Sequence, residues 1–270
     1  MVCSFRFCSF RFRVQRYGIF GATRLQVIQK TFFPTLFFRF SCTGGQKAVS
    51  LQPNTEMNRY TFAHIMRRLL HIHYDVHLSG MEHMLDGRVH LVLPNHTAYI
   101  DPILLFAECG DLPLCPMSDE RFFRNPLFRH ILAMADAVPV PDLEKTPHRA
   151  EGVAIASGLS RVAIDSLAAG KEMVFYPSGH VKTVDSEVIG NRRMAYEVCR
   201  ELPAGVEVIM VRMRGLEQSL WSKLHPKRFC FRRNVYIHFE PMTAMLCEWA
   251  STLSRREFNK RLEDWYNQPM

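Results

Sequence analysis

His96 and Asp101 are separated by four residues in the segment 95–101, which reads Asn-His-Thr-Ala-Tyr-Ile-Asp. A histidine oriented by a nearby aspartate can act as a general base that removes the proton of a hydroxyl group. The spacing alone is weak evidence, because His180 and Asp185 have the same separation and the chain contains 12 histidines. The elements around each pair must therefore distinguish them.

The first pair lies between a predicted strand and a predicted helix. It follows the apolar run Leu91–Pro94 and precedes the apolar run Pro102–Phe106, in which the proline stands near the first helical turn. A strand, a polar turn and a helix form the α/β unit in which sites gather at the carboxyl ends of strands. The second pair also follows a predicted strand end, at 176–179, but continues into a polar loop, so we expect its role to be secondary.

Strand and helix patterns alternate along the chain. Met57–Leu70 has apolar residues at helical spacing and arginines elsewhere, which predicts an amphipathic helix with a basic face. Strands are predicted at 72–78, 91–94, 112–117, 137–140, 173–176, 206–213 and 235–239, and an alanine-rich helix at 150–169. This pattern predicts an α/β fold with a largely parallel central sheet covered by helices. We expect residues 57–270 to form one catalytic domain.

Residues 1–56 differ in composition from the rest of the chain. They hold half of the 20 phenylalanines, and no acidic residue precedes Glu56. Eight cations in this extension equal the net charge of +8 of the whole chain: Arg6, Arg11, Arg13, Arg16, Arg24, Lys30, Arg39 and Lys47. The extension could lie on an anionic bilayer, act as an organelle transit peptide, or be a disordered or non-native segment before a start at Met57. We expect no nucleic-acid partner, because no groove-reading or single-strand module is visible.

Composition also indicates the cellular compartment, the kind of membrane contact and whether a metal is expected. The eight cysteines include no CxxC pair, which favours reduced thiols in a cytosolic setting over disulfides or a zinc finger. No run of about 18 uncharged apolar residues occurs, so we expect peripheral membrane contact on the cytoplasmic side rather than a spanning helix. His71, His73 and His77 share one face of the predicted strand 72–78, but no cysteine or carboxylate at ligand spacing completes a metal site there. We therefore predict no metal.

Four segments in order resemble the sequence blocks of the PlsC-like, or lysophosphatidate acyltransferase, family of glycerolipid acyltransferases. The segment 91–102 resembles the first block, and 174–179 resembles the third, which usually reads Phe-Pro-Glu-Gly-Thr-Arg. The segment 208–215 resembles the fourth, and the Phe-rich segment with 135–140 occupies the place of the second. The order and spacing agree over roughly residues 70–240, which makes the resemblance fairly specific.

The resemblance implies a glycerol-3-phosphate acyltransferase-like fold and transfer of a fatty acyl group from acyl-CoA or acyl carrier protein to a glycerolipid hydroxyl. His96 would be the general base, Asp101 would orient it, and no covalent enzyme intermediate or further cofactor would be required. Lysophospholipids and membrane lipids would be the other partners. The residues implied to bind substrate are Asn95, Ser178, Gly179, Lys182, Arg212 and Arg214.

Two blocks depart from the family pattern. Ser178 stands where the family usually has Glu, and His180 and Val181 replace the usual Thr and Arg. The usual Arg after the second-block strand is also absent, and arginine makes bidentate contacts with phosphate that lysine cannot fully imitate. Lysophosphatidate is therefore one candidate acceptor among several. A capped phosphate, such as that of lysophosphatidylethanolamine, would require fewer cationic contacts from the site.

Two other functions remain open from the residues. Ser178 could be the nucleophile of a lipid hydrolase, although Tyr176 stands where the nucleophile elbow of α/β hydrolases needs glycine. A protein with an altered third block could instead be a catalytically inactive scaffold at the membrane surface.

Overall fold

The structure is a computed structural model that describes residues 6–7, 10–11, 59–141 and 149–269. The chain divides into two units, residues 1–57 and 58–270. The described residues of the first unit form two short antiparallel strands, β1 (Arg6–Phe7) and β2 (Phe10–Arg11). The predictions for the rest of the extension 1–56 lie outside the described residues.

The second unit is built on a seven-stranded sheet with strand order β3-β9-β8-β4-β7-β5-β6. Every neighbouring pair is parallel except β8 with β9, which confirms the predicted largely parallel sheet. The strands are β3 (Tyr74–Ser79), β4 (Val89–Pro94), β5 (Leu114–Asp119), β6 (Val138–Val140), β7 (Glu172–Val174), β8 (Val206–Arg214) and β9 (Arg233–Pro241). We call the side on which β4, β5, β7 and β8 end the carboxyl edge of the sheet.

Helices follow most of the strands, and the predicted helix at 57–70 is confirmed as α1. The helices are α1 (Arg59–Leu70), α2 (Asp101–Glu108), α3 (Glu120–Arg124), α4 (Pro126–Met134), α5 (Arg149–Ala168), α6 (Met194–Arg200), α7 (Thr243–Thr252) and α8 (Arg255–Asn267). Among the residues that the structure describes, no helix is both long enough and apolar enough to cross a bilayer.

The central strands are buried on both faces because successive side chains of a strand point to opposite sides. Leu91 and Leu93 of β4 pack into one core cluster with residues of α5 to α8. Val92 lies in a second cluster with residues of α1 and α2. Helices therefore cover the sheet on both sides, and the carboxyl end of β4 lies at the centre of the sheet.

The structure corrects the prediction of three histidines on one strand face. Strand β3 begins at Tyr74, so His71 and His73 lie in the preceding turn and only His77 belongs to the strand. His71 pairs with the buried Glu108 of α2, with 2.6 Å between Nε2 and Oε1. The alternation of polar and apolar residues extended past the true start of the strand, because the turn after α1 continues the same pattern. No group of three or more metal-ligating side chains occurs within the described residues.

Candidate active site

The Asp101 carboxylate holds together the turn between β4 and α2. This side chain is fully buried at the first residue of α2. Its Oδ2 accepts hydrogen bonds from the backbone N–H groups of Thr97 (2.5 Å) and Ala98 (2.8 Å), and its Oδ1 accepts one from the Thr97 hydroxyl (3.0 Å). These donors offset the cost of burying a charge and fix the backbone that carries His96.

Asp101 also orients the His96 ring. Nδ1 of His96 lies 3.1 Å from Asp101 Oδ2. Because an ionised carboxylate can only accept, Nδ1 carries the proton and Nε2 is left with its lone pair. The ring stacks on Tyr176 with 4.2 Å between ring centroids, and its side chain is 14% exposed. The pair thus presents an accepting imidazole nitrogen at the carboxyl edge of the sheet.

The second histidine and aspartate pair has no such geometry. His180 Nδ1 donates to the backbone carbonyl of Ser178 at 2.7 Å. Asp185 is exposed, and its backbone carbonyl accepts from the Lys182 ammonium at 3.2 Å. His180 and Asp185 therefore do not contact each other in the way that His96 and Asp101 do, and the secondary role of this pair stays a prediction.

The loop that follows β7 makes hydrogen bonds with the main chain of His96. The backbone N–H of Lys182 donates to the His96 carbonyl at 2.9 Å. The backbone N–H of His96 points to Glu187 Oε1, at a longer distance of 3.4 Å. Glu187 is itself held by α8, because its N–H donates to Asn267 Oδ1 and its carbonyl accepts from Asn267 Nδ2. A single loop therefore places both polar groups of the His96 main chain.

Glu187 is a site residue that the sequence analysis missed. Its side chain is buried, and burial raises the pKa of its carboxyl, while the Ser178 hydroxyl, the His96 amide and the Lys182 charge act in the opposite direction. Ser178 occupies the position where PlsC-like acyltransferases usually have Glu. The Glu187 carboxylate, from nine residues further along the chain, lies beside Ser178. The absent Glu at position 178 was the only signal that could have prompted a search for a substitute.

Ser178, Gly179 and Lys182 lie in the same loop, close to the His96 turn. The buried Ser178 hydroxyl donates to the His180 carbonyl at 3.2 Å rather than to an imidazole nitrogen. Gly179 has a positive φ of 68°, and the Arg192 guanidinium lies 4.0 Å from the position that a Cβ would take there. Lys182 Nζ is buried 3.5 Å from Glu217 Oε1, which ties this loop to the one that follows β8.

Asn95 connects the ends of two neighbouring strands. Its Oδ1 accepts from the backbone N–H of Met213 at 2.6 Å, and its Nδ2 donates to the carbonyl of the same residue at 3.1 Å. The side chain is buried, so both halves of the amide are satisfied by the end of β8. Its direct contact with substrate remains a prediction, and its observed contacts position the residue before His96.

Arg212 and Arg214 face α8. The buried Arg212 guanidinium lies over the Trp265 ring at 4.1 Å, and burial, together with the charge of Arg214, lowers the pKa of Arg212. Arg214 donates to the carbonyls of Tyr266 (2.8 Å) and Gln268 (3.0 Å) at the end of α8. The structure thus gathers His96, Asp101 and the loop after β7, and shows these two arginines in contact with the last helix.

The chain resembles known acyltransferases in sequence and in fold. The sequence model of the acyltransferase family matches residues 75–214, slightly more than half of the chain, and the chain belongs to that family. The fold is similar to the crystal structure of the 1-acyl-sn-glycerophosphate (LPA) acyltransferase PlsC from Thermotoga maritima. The TM-score is 0.50 at 14% identity, over 82% of this chain and 86% of that one. No curated protein sequence matches this chain.

Family membership and fold confirm the predicted resemblance to PlsC-like acyltransferases. The match to residues 75–214 contains both the His96 turn and the loop that covers it. An accepting nitrogen held beside a buried carboxylate is the arrangement that general-base activation of a hydroxyl needs.

Proposed function

We propose that this protein transfers a fatty acyl group from a thioester to a hydroxyl group of a glycerolipid or lysophospholipid. The donor is acyl-CoA or acyl carrier protein, and the reaction serves phospholipid biosynthesis or remodelling. The observation that carries the proposal is the 3.1 Å contact of His96 Nδ1 with Asp101, which leaves Nε2 free to accept a proton. Membership of the acyltransferase family supports it. No cofactor beyond the thioester donor is needed.

In this mechanism, His96 Nε2 takes the acceptor hydroxyl proton as the oxygen attacks the thioester carbonyl carbon. The resulting tetrahedral oxyanion collapses, the carbon–sulfur bond breaks, and the ester forms. The departing thiolate receives the proton back from His96. Asp101 stays ionised throughout, since it keeps the ring in the productive tautomer and stabilises the imidazolium that forms.

We propose that Glu187 and Lys182 position His96 rather than react. Their contacts are with the main chain of His96, through the Glu187 carboxylate and the Lys182 amide. Asn95 is proposed to act similarly through its two hydrogen bonds with Met213. Holding a base in place contributes to the rate because a small displacement of a reacting group is costly.

The acceptor headgroup is proposed to lie at Gly179. The exposed Arg192 guanidinium beside this glycine supplies a cation near the block from which the usual arginine is missing. Guanidinium groups bind phosphate through paired hydrogen bonds. Ser178, Lys182, Arg212 and Arg214 line or support this region in the proposal. A glycerophosphate headgroup, free or capped as in lysophosphatidylethanolamine, fits this set of cations.

The protein is proposed to act at the cytoplasmic face of a membrane as a peripheral protein. Both the acceptor and the product are membrane lipids in this reaction. Residues 120–132, rich in Phe and Arg, form α3 and α4, and Phe122 is exposed at the carboxyl edge, which supports contact with lipid on that side.

A panel of lysolipids tests the function. Labelled acyl-CoA and labelled acyl carrier protein are each offered with lysophosphatidate, lysophosphatidylethanolamine, lysophosphatidylcholine and glycerol-3-phosphate. Transfer of label to one headgroup class supports the proposal. Release of free fatty acid without transfer indicates a hydrolase, and vesicle binding with neither product indicates a scaffold, so each of these results contradicts it.

A further inference from the structure

We propose that the loop between β8 and β9, residues 215–232, is a docking surface for an anionic lipid bilayer beside the His96 turn. Four large apolar side chains of this loop are exposed: Leu220 (56%), Trp221 (52%), Phe229 (75%) and Phe231 (67%). Single exposed apolar residues are ordinary, whereas a cluster of this kind marks an interaction site. The proposal concerns vesicle binding and stands whether or not the acyl transfer is confirmed.

The charges of the loop match an anionic lipid surface. The loop has one acidic residue, Glu217, which lies 3.5 Å from the buried Lys182 ammonium. It carries four exposed cations, Lys223, Lys227, Arg228 and Arg232, of which Arg232 pairs with Asp75 at 3.6 Å. Three of these cations lie in the sequence between the two pairs of exposed apolar residues, and Arg232 follows the second pair. Tryptophan is enriched at the headgroup boundary of a bilayer, phenylalanine inserts there as part of an apolar surface, and each nearby cation adds attraction to anionic lipid.

The loop is joined directly to the His96 turn. The Tyr99 backbone N–H donates to the Trp221 carbonyl at 3.1 Å, and the Lys223 ammonium lies 5.5 Å from the centre of the Tyr99 ring. Tyr99 lies three residues after His96 and is itself exposed. A bilayer bound by the loop would therefore meet the protein at the carboxyl edge, where His96 must receive a lipid hydroxyl.

A second segment extends the same surface. The Phe231 ring contacts His73 edge-on, with 5.9 Å between ring centroids. His73 lies in the turn after α1, and Leu69 in the last turn of this helix and Ile72 in the following turn are both exposed. Because β3 runs parallel to β9 and antiparallel to β8, the end of α1 lies at the carboxyl edge together with the loop. Exposed apolar groups from two separate parts of the chain thus meet on one side.

The mixture of rings and cations favours a bilayer over an acidic protein such as a carrier domain. Cations alone would recognise an acidic protein surface and would leave Phe229 and Phe231, the two most exposed rings, in water. At a bilayer, the rings enter the headgroup boundary and the cations meet phosphate groups.

Trp221 provides the test, because it is the most exposed of the three tryptophans, Trp265 being buried and Trp249 half-buried. The full chain is mixed with vesicles of phosphatidylcholine and phosphatidylglycerol that carry brominated acyl chains. We expect brominated lipid to quench the fluorescence, and the Trp221→Phe variant to lose this quenching. Vesicle binding without quenching of Trp221, or no vesicle binding, would overturn the proposal.

Two double variants separate the apolar and the charged contributions. We expect Phe229→Ala with Phe231→Ala, and Lys227→Gln with Arg228→Gln, each to weaken vesicle partition by about 10-fold or more. The control, Leu85→Ala with Met245→Ala, removes exposed apolar groups from the opposite edge and should partition like the wild type. Circular dichroism confirms that each variant folds.

Partition of both test variants at the wild-type level would contradict the proposal. So would a charge variant that binds vesicles normally but loses affinity for acyl carrier protein, because that result would assign the loop to an acidic protein. None of these measurements contains an acyl-transfer step, so failure of the docking surface and failure of the proposed function are separate results.

Discussion

Glu187 Oε1 lies 3.4 Å from the backbone nitrogen of His96, although the two residues are 91 positions apart in the sequence. The contact joins the loop after β7 to the turn after β4. The Asn267 side chain of α8 holds the same loop through two hydrogen bonds with the Glu187 main chain. The proposed base is thus positioned on one side by Asp101, through its ring, and on the other by Glu187, through its main chain.

Replacing Glu187 by alanine should lower kcat about 10-fold with little change in KM, because the acceptor for the His96 amide is lost and the base is less well held. Glu187→Gln keeps a side-chain oxygen acceptor and should retain most of the activity. Steady-state kinetics of the two variants provides the comparison, with the exposed Glu82→Ala as a control. Equal losses in the alanine and glutamine variants would argue against positioning through the amide.

Stability should depend on pH through the same side chain. Burial raises the pKa of Glu187 in the folded protein, so its favourable contribution is fully present below the unfolded pKa and is lost as the pH rises through the folded pKa. Glu187→Gln should therefore become more stable relative to the wild type as the pH rises above the usual pKa of a glutamate. Urea unfolding at several pH values measures the difference, and a difference that does not vary with pH would count against it.

The Asn95 amide should contribute strongly to stability. Asn95→Ala removes both hydrogen bonds with Met213 and leaves two buried backbone groups unpaired, which should cost about 2–4 kcal/mol. Denaturant unfolding gives this value, with Asn191→Ala as the control because Asn191 makes an exposed hydrogen bond with Arg255. A loss within about 0.5 kcal/mol at Asn95 would mean that the connection between β4 and β8 is unimportant.

The Tyr176 hydroxyl is buried without a hydrogen-bond partner among the residues that the structure describes, while its ring stacks on His96. Tyr176→Phe removes the unpaired group and keeps the ring, so we expect unchanged activity and a gain of about 1 kcal/mol in the free energy of unfolding. Tyr176→Ala removes the stacking and should reduce both properties. Thermal unfolding and acyl-transfer rates are measured together, and a large loss of activity in Tyr176→Phe would assign the hydroxyl a role in the reaction.

Arg192 is the cation nearest Gly179 in the proposed acceptor site. Arg192→Ala should raise KM for a lysophospholipid about 10-fold or more while kcat changes little, because a phosphate contact made equally before and during the reaction affects binding. Arg200→Ala, an exposed arginine at the end of α6, serves as the control. An unchanged KM in Arg192→Ala would place the headgroup elsewhere.

Local patterns were sufficient to predict that the seven strands of the main sheet and the His96 turn exist, although not where each strand begins and ends. Leu91–Pro94 is apolar because β4 is buried on both faces, and Pro102 stands in the first turn of α2, so the position of His96 at a strand end follows from neighbouring residues. Asp101 is close enough in sequence to His96 for its role to be apparent from the spacing.

Contacts between distant segments could not be predicted in this way. Glu187 reaches His96 only because α8 holds its loop, and Arg214 contacts the Tyr266 carbonyl of α8, which lies 52 positions further along the chain. The start of β3 at Tyr74 was misjudged because the turn after α1 continues a polar and apolar alternation. In each case the tertiary environment, rather than the local pattern, decides where a side chain lies.

The most direct test compares the two histidines that precede an aspartate at the same spacing. His96→Ala should lower kcat for acyl transfer about 10² to 10⁴-fold, because the proton acceptor is lost while the fold is retained. His180→Ala should stay within about twofold of the wild type, because His180 contacts only the Ser178 carbonyl among the partners that the structure describes for its side chain. Near-normal turnover by a folded His96→Ala variant would contradict the assignment of His96 as the general base.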